Sequence, residues 1–234
     1  YLYFITIAWA VGYMIAFPSL GNYEGMLGWS QQSQYEAEMQ AAAENYEPIY
    51  EKFAAMEFDE LWQNAEAQAL GKSLFASYCT TCHGSDARGA PGYPNLIDSD
   101  WQWGNAEGEL FTTIYNGRQA AMPVLTPALG GDEGIDNMVR YVLSLSGGEA
   151  DAGAMSAQPM FVALCSACHN ADGTGNKIFG APNLTDDTWL YGGTAEKVRE
   201  TLVNGRNGQM PAHGDFFGEN RTKILAAYVY SLSQ

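Results

Sequence analysis

Residues 79–83 read Cys-Thr-Thr-Cys-His, and residues 165–169 read Cys-Ser-Ala-Cys-His. These two stretches contain all four cysteines of the chain. The pattern C-x-x-C-H is the attachment signature of a c-type haem, in which the two thiols add to the porphyrin vinyl groups and the histidine binds the iron. A single C-x-x-C also serves zinc binding or disulfide exchange, but two copies favour haem. The predicted haem residues are Cys79 and Cys82 with His83, and Cys165 and Cys168 with His169.

The sequence that follows each motif is repeated. Self-similarity at one fixed period indicates an internal duplication, so the chain of 234 residues carries two copies of one module. Modules of this size bury little surface on their own, and a covalently held haem would complete each core. The offset is 88 residues, and the matching pairs are Pro94-Asn95-Leu96 with Pro182-Asn183-Leu184, Trp101 with Trp189, Asn116-Gly117-Arg118 with Asn204-Gly205-Arg206, and Met122-Pro123 with Met210-Pro211.

A haem iron has two axial faces, and the residue on the second face decides between electron transfer and catalysis. Met122 follows His83 by 39 residues and Met210 follows His169 by 41, each directly before a proline. Methionine is usually an adaptable filler of hydrophobic cores, but the paired placement favours Met122 and Met210 as iron ligands. With both faces occupied the irons would be closed to substrate, which favours an electron carrier.

Five further residues have weaker signals. Arg118 and Arg206 either pair with the haem propionates or are exposed arginines that follow a helix end. Trp101 and Trp189 either pack beside the haem or belong to the module core. His213 has no counterpart in the first module and is predicted to be a surface histidine.

Apolar residues recur at helical spacing in each module. Leu70, Leu74 and Tyr78 predict a helix that ends just before the first haem motif. Thr194 is the predicted N-cap of a helix in the second module, and Gly205 is the glycine expected where that helix stops. No alternating run is long enough to predict a sheet. The sequence therefore predicts an all-α protein with two haem modules of roughly three helices each.

The first seventeen residues contain no charged side chain. Because roughly 20 apolar residues span a bilayer, the segment 1–20 is predicted to be a transmembrane anchor that is truncated at its start. A signal-peptide core and a buried core helix are the alternatives. The apolar run ends at Pro18-Ser19-Leu20-Gly21-Asn22, a segment of helix-breaking residues.

The remaining boundaries follow from composition. Residues 24–66 hold ten acidic residues and one basic residue, Lys52, so the segment 21–66 is predicted to be an acidic helical connector that Pro48 opens or interrupts. Residues 147–158 are small and polar and are predicted to be a linker. The two haem domains are then 67–146 and 159–234.

The chain is strongly acidic, with a net charge of -16 and a pI near 4.3. This charge argues against nucleic acid as a partner, because the phosphates would repel the protein. It agrees with a basic protein partner, although acidity can also serve solubility alone.

Beyond the motifs, the chain resembles the two-haem, membrane-anchored subunit III of cbb-type cytochrome c oxidases over essentially its whole length. The most discriminating stretches are Pro-Asn-Leu-Thr-Asp-Asp-Thr-Trp-Leu-Tyr-Gly-Gly at 182–193 and Leu-Ala-Ala-Tyr-Val-Tyr-Ser-Leu-Ser at 225–233. Many cytochromes share C-x-x-C-H, but few share these two stretches.

This resemblance implies two class I cytochrome c-like domains behind a single N-terminal transmembrane helix, on the periplasmic side of a bacterial inner membrane. It implies an electron-transfer subunit that does not itself reduce oxygen. Electrons would come from a donor cytochrome c and pass toward a mono-haem c subunit and the catalytic haem-copper subunit. The resemblance also implies that Met122 and Met210 can be exchanged, each completing the haem of the other module, whereas spacing alone permits either arrangement.

Two other functional classes fit the motifs. One is a free-standing dihaem shuttle, membrane-anchored or periplasmic, and the other is a two-haem enzyme such as a peroxidase. The apolar N-terminal segment favours the oxidase subunit over the free shuttle. The paired methionines disfavour the enzyme, because a catalytic haem needs an exchangeable face.

Overall fold

The structure, a computed structural model, describes residues 1–21 and 23–234. Asn22, the last residue of the predicted breaker segment, lies outside the described residues. The chain forms two compact units, Tyr1–Lys52 and Phe53–Gln234. Both haem motifs lie in the second unit.

Helix α1 runs over Leu2–Ala16 and has 15 residues, none of them buried. It ends where Phe17 adopts an extended conformation, because a residue that precedes proline disfavours helical backbone. The Tyr23 hydroxyl then donates a hydrogen bond of 3.0 Å to the Ile15 carbonyl. Among residues 1–21 and 23–234, no helix is both long enough and apolar enough to cross a membrane. The predicted transmembrane helix over 1–20 is therefore not found.

Helix α2 spans Gln31–Ala54, as the predicted helical connector requires. Glutamine and glutamate side chains bond at i,i+4 along its exposed surface, for example Gln34 to Glu38 at 2.8 Å, and such pairs stabilise a solvated helix. The helix continues through Pro48, so the prediction that this proline opens or interrupts a segment is wrong. Pro48 has no N–H to donate to the carbonyl of Glu44, four residues earlier, and Glu44 is an exposed residue.

The second unit is mostly helical. The α4 helix ends directly before the first motif, as predicted, and the backbone of α11 is non-helical at Gly218. The elements in chain order are α3 (Phe58–Leu61), α4 (Ala65–Tyr78), α5 (Thr80–His83), α6 (Glu107–Asn116), β1 (Arg118–Met122), α7 (Asp132–Leu145), α8 (Ala152–Leu164), α9 (Ser166–His169), α10 (Ala195–Asn204), β2 (Arg206–Met210) and α11 (Gly214–Ser231).

Local signals place the ends of α10 correctly. The Thr194 side chain accepts a bond from the Lys197 backbone N–H at 3.4 Å, which confirms the predicted N-cap. Gly205 follows the helix with φ of 68°, a backbone conformation that residues other than glycine rarely adopt. The prediction of a glycine stop is therefore confirmed.

The predicted linker is partly helical. Helix α8 begins at Ala152, inside the segment 147–158. The Asp151 carboxylate caps this helix by accepting from the Ala154 N–H at 2.6 Å, and it also pairs with Arg140 at 2.8 Å. Ala154 and Ala157 are buried. These small side chains allow α8 to lie close to α7. The polar composition of the segment does not predict this contact.

The second unit divides into two lobes, and each lobe combines helices of both repeats. In the His83 lobe, defined as α3 to α6 with α11, the last helix of the second repeat packs on α4 and α6. In the His169 lobe, defined as α7 to α10, the last helix of the first repeat packs on α8 and α10. The two repeats have therefore exchanged their C-terminal helices.

Side-chain contacts support the same exchange in both lobes. A Cβ atom on Gly71 of α4 would overlap the Cβ of Tyr228 of α11, and the rings of Phe75 and Tyr228 lie 5.6 Å apart. The equivalent contact in the His169 lobe joins the rings of Tyr141 and Phe161 at 5.2 Å. The close approach in the His83 lobe depends on the missing side chain of Gly71.

The two five-residue strands β1 and β2 form an antiparallel ribbon, so the prediction that the protein has no sheet is wrong. The pairing places Arg118 opposite Met210, and Met122 opposite Arg206. These four residues lie on the half-buried face of the ribbon. Sequence patterns miss such a ribbon because each strand is short and its partner is 88 residues away.

Candidate functional site

A short turn presents the residues of each haem motif. In the first motif Cys79 ends α4, and the His83 N–H bonds the Cys79 carbonyl at 2.9 Å. In the second motif the His169 N–H bonds the Cys165 carbonyl at the same distance. Each turn brings two thiols and one imidazole into a fixed local arrangement, as C-x-x-C-H requires.

Both motif histidines are buried and are held by a proline carbonyl. The Nδ1 atom of His83 lies 3.1 Å from the Pro94 carbonyl oxygen, and that of His169 lies 3.1 Å from the Pro182 oxygen. Because a carbonyl oxygen only accepts, the bond places the ring proton on Nδ1 and leaves the Nε2 lone pair for a metal. The sequence repeat contained both prolines, but it did not indicate this role.

Burial lowers the pKa of both imidazoles, although the bond to the proline carbonyl opposes this effect in each case. The neutral form of His83 and His169 is therefore favoured near neutral pH. A neutral imidazole is the form that binds a metal.

The cysteines are unlike those of a redox dithiol. Burial, and then the neighbouring Cys82, raise the pKa of the Cys79 thiol to about 11. Burial and the neighbouring Cys168 likewise raise the pKa of Cys165 to about 11. Catalytic and exchange-active cysteines instead have lowered pKa values, since the thiolate is the nucleophile. The electrostatics therefore disfavour the disulfide-exchange alternative.

Each predicted methionine ligand lies in the lobe of the other repeat's motif. Met122 packs against the core of the His169 lobe, which contains Cys165 and Leu184. The Met210 carbonyl lies 2.5 Å from the position of a Cβ on Gly117, at the end of α6 in the His83 lobe. The ribbon thus places the backbone of Met210 against the His83 lobe, and Met122 against the His169 lobe.

The two arginines after the helix stops are half-buried. The Arg118 guanidinium lies 4.8 Å from the centre of the Trp103 ring, and that of Arg206 lies 4.5 Å from the centre of the Tyr191 ring. Trp103 and Tyr191 were not among the residues predicted from the sequence. The repeat could have indicated them, because they are 88 residues apart and therefore occupy equivalent positions in the two modules.

Two buried polar atoms test whether the site suits a haem. Arg206 Nη2 and Trp101 Nε1 are buried and have no hydrogen-bond partner among the described residues. A buried donor without an acceptor is costly, and haem propionates are carboxylate acceptors of the kind these donors require. The residues present therefore fit a c-type haem.

The remaining weak predictions have mixed outcomes. Trp189 packs against the core of the His169 lobe, as the core alternative predicted. His213 is half-buried, and its ring stacks on Phe217 with centroids 5.6 Å apart, so the prediction of a surface histidine is wrong. Its position at the start of α11 explains the burial, because that helix packs into the His83 lobe.

A cleft of about 540 Å³ lies between the loops that follow the two motifs. Three carboxylates line it, and the Thr188 hydroxyl donates to Asp100 at 2.8 Å across the two loops. Burial raises the pKa of Asp98; a hydrogen bond from the Asp100 backbone opposes this effect, and the charges of Asp100 and Asp186 add to it. Burial also raises the pKa of Asp186, with Asp100 adding to the effect.

The two repeats match the family described as cytochrome c oxidase, cbb3-type, subunit III, at residues 66–142 and 152–229. A relative named Cbb3-type cytochrome c oxidase subunit CcoP, from Rubrivivax gelatinosus, is 40% identical over 233 residues, which is 100% of this chain and 77% of the relative. A FixP subunit from Azorhizobium caulinodans is 35% identical over 98% of this chain and 84% of its own length. A CcoP subunit from Cereibacter sphaeroides is 35% identical over 98% and 86%.

These matches confirm the resemblance seen in the sequence. Each family match contains one C-x-x-C-H turn, one buried histidine and one strand that ends in methionine. The protein therefore belongs to the family of subunit III of cbb3-type cytochrome c oxidases, whose cytochrome c domains bind c-type haem.

Proposed function

We propose that this chain holds two covalent c-type haems and passes electrons through them within a cbb3-type oxidase. The observation that carries the proposal is the buried histidine of each C-x-x-C-H, whose Nδ1 is bonded to a proline carbonyl so that Nε2 faces away with its lone pair. When bound, each haem supplies an iron that takes up and releases one electron. Cys79, Cys82, Cys165 and Cys168 attach the haems.

The proposed axial ligands are exchanged between the repeats. Met122 completes the haem of the second motif, which the packing of Met122 against the core around Cys165 supports. Met210 completes the haem of the first motif, which the position of its backbone against Gly117 supports. The proposed pairs are His83 with Met210, and His169 with Met122.

The role of these residues is to tune and protect the irons. A methionine thioether favours the ferrous state and raises the reduction potential. Two occupied faces also exclude oxygen and peroxide from the iron. We therefore assign oxygen reduction to the catalytic haem-copper subunit and electron transfer to this chain.

Membership in the oxidase family implies other oxidase subunits as partners. We propose a mono-haem c subunit as the electron acceptor on the way to the catalytic subunit, and a basic cytochrome c as the donor. The alternative is a free-standing membrane-anchored or periplasmic dihaem shuttle. Purification in mild detergent separates the two, because an oxidase subunit would copurify with a haem-copper chain and a free shuttle would not.

We propose that the first unit attaches the protein to a bacterial inner membrane, with the haem lobes on the periplasmic side. The support is the uncharged helix α1, whose apolar side chains are exposed, including Ile5 and Trp9 at 64% and 69%. Exposed apolar patches of this kind mark interaction surfaces. Covalent attachment of haem c outside organelles also takes place on the periplasmic side.

Mass spectrometry of the denatured chain tests the proposed cofactor content. We expect the added mass of two haems, because each motif has both thiols and a neutral buried imidazole. Peptides that contain Cys79 with Cys82, and Cys165 with Cys168, should each carry one haem. A single haem, or an intact disulfide between Cys79 and Cys82, would contradict the proposal.

Reduction by a basic cytochrome c is expected to slow as salt rises. The net charge of -16 attracts a positive donor, and the Debye length falls from about 10 Å at 0.1 M salt to about 3 Å at 1 M. Stopped-flow reduction across a salt series measures this effect, with a neutral chemical reductant as the control. A rate that is flat or that rises with salt would show that the acidity serves solubility instead.

A further inference from the structure

The two arginines of the ribbon have nearly the same surroundings, which makes one difference between them informative. Arg118 and Arg206 begin their strands at equivalent positions of the repeat. The Nε atom of Arg118 donates to Thr113 Oγ1 at 2.9 Å, and that of Arg206 donates to Thr201 Oγ1 at 2.9 Å. The two arginines therefore have the same position in their strands and the same hydrogen bond from Nε to a threonine hydroxyl.

The second repeat adds a carboxylate to this arrangement. Arg206 Nη1 donates to Glu200 Oε1 at 2.9 Å, and Lys197 Nζ lies 2.7 Å from Glu200 Oε2. The bond to Lys197, and then the bond to Arg206, lower the pKa of Glu200, so this carboxyl is ionised at neutral pH. The first repeat has Thr112 at the equivalent position, 88 residues earlier.

The first repeat gives its arginine neutral acceptors. Within residues 1–21 and 23–234, the hydrogen bonds of Arg118 run to the Thr113 hydroxyl and, at 3.3 Å, to the Glu109 backbone carbonyl. The Glu109 carboxylate is used elsewhere, since it accepts from the Ala106 N–H at 2.9 Å. The charge of Arg118 is therefore not balanced by a bonded carboxylate.

The position of Arg206 connects this difference to the second haem. Arg206 lies opposite Met122 in the ribbon, and Met122 packs in the His169 lobe. The Arg206 side chain is 19% exposed, and its Nη2 is a buried donor with no partner among the described residues. One end of the guanidinium thus bonds Glu200, while the other end is a buried donor that could serve an acceptor such as a haem propionate.

We propose that Glu200 lowers the reduction potential of the haem held by His169 and Met122, acting through Arg206. This inference rests on the proposed function. A ferrous haem carries one positive charge less than a ferric haem, so a nearby positive charge favours reduction. Glu200 offsets part of the charge of Arg206 in the second repeat, whereas the equivalent Thr112 of the first repeat has no charge to offset that of Arg118. Glu200 is a positioning residue that makes two similar sites differ in potential.

Spectroelectrochemical titration of the purified haem-loaded chain tests the proposal. Glu200→Gln keeps an acceptor for Arg206 but removes the negative charge. We expect it to raise one of the two potentials, with a change of about threefold to tenfold in the ferrous-to-ferric ratio, where tenfold is 59 mV for one electron. The other potential should stay in place. Glu196→Gln serves as a control, since it removes the same charge from an exposed residue of α10 that bonds Thr194 rather than Arg206.

The reciprocal variant Thr112→Glu places a carboxylate beside Arg118. We expect it to lower the other potential by a similar factor, so the two substitutions should move different waves in opposite directions. The inference is overturned if two waves are present but Glu200→Gln moves neither, or if both substitutions move the same wave. A chain with fewer than two haem waves would instead contradict the proposed function.

Discussion

Replacing Met122 by Ala is expected to open the iron of the haem attached at Cys165 and Cys168, although Met122 belongs to the repeat of the first motif. The reason is the packing of Met122 in the core of the His169 lobe. Loss of the thioether removes a ligand that favours ferrous iron, so the potential of that haem should fall, by about 0.1 V or more given that axial ligands set haem potentials over about 0.8 V. The opened iron should also bind external ligands such as carbon monoxide.

The matched variant Met210→Ala is expected to change the haem of the first motif in the same way. Met160→Ala serves as a control, because Met160 is 42% exposed on α8 and lies on neither strand of the ribbon. Spectra and ligand binding of single-haem peptides identify which site has changed. Methionine variants that alter the haem of their own repeat would contradict the exchange, and variants that alter neither haem would show that the methionines are core residues.

Replacing Gly71 by Ala is expected to destabilise the protein by about 1 to 3 kcal/mol, the usual cost of overpacking a close contact. A Cβ at this position would overlap the Cβ of Tyr228 and would lie 3.2 Å from the Ile224 carbonyl oxygen. The helices α4 and α11 must then move apart, and the His83 lobe loses the packing that closes it. Chemical unfolding followed by circular dichroism measures the loss.

Gly108→Ala is a direct control for this substitution. Gly108 also lies in a helix, but a Cβ there would meet nothing within 4 Å. Helix propensity favours alanine over glycine by about 1 kcal/mol, so Gly108→Ala should be neutral or stabilising. Equal effects of the two substitutions would show that α4 and α11 are not in close contact at Gly71.

Signals in neighbouring residues were enough to predict several parts of this protein. Two C-x-x-C-H motifs, each within five consecutive residues, and their repetition along the chain predict two haem modules. The ends of α10 at Thr194 and Gly205 were also predictable, since a cap hydroxyl and a glycine with φ of 68° act on their own helix. The family resemblance carried the expected function, which the comparisons bear out.

Some local predictions failed where a neighbour elsewhere in the chain decides the conformation. Residues 147–158 have the composition of a linker, yet α8 begins among them because Ala154 and Ala157 are buried in the core of the His169 lobe. His213 has no counterpart in the first repeat and still becomes half-buried, since α11 packs against α6 and α4. The polarity of a segment does not show whether a distant helix will pack against it.

How the two repeats combine depends on contacts that the sequence pattern does not reveal. The spacing of the methionines permits each to serve its own module or the other. The antiparallel ribbon pairs Met122 with Arg206 and Met210 with Arg118, and α7 and α11 are exchanged between the repeats. This arrangement supports the proposal that each methionine completes the haem of the other repeat. Because the sequence is duplicated, each C-terminal helix can pack on the helices of its own repeat or on the nearly equivalent helices of the other. Contacts between residues far apart in the chain, such as Gly71 with Tyr228, select between them.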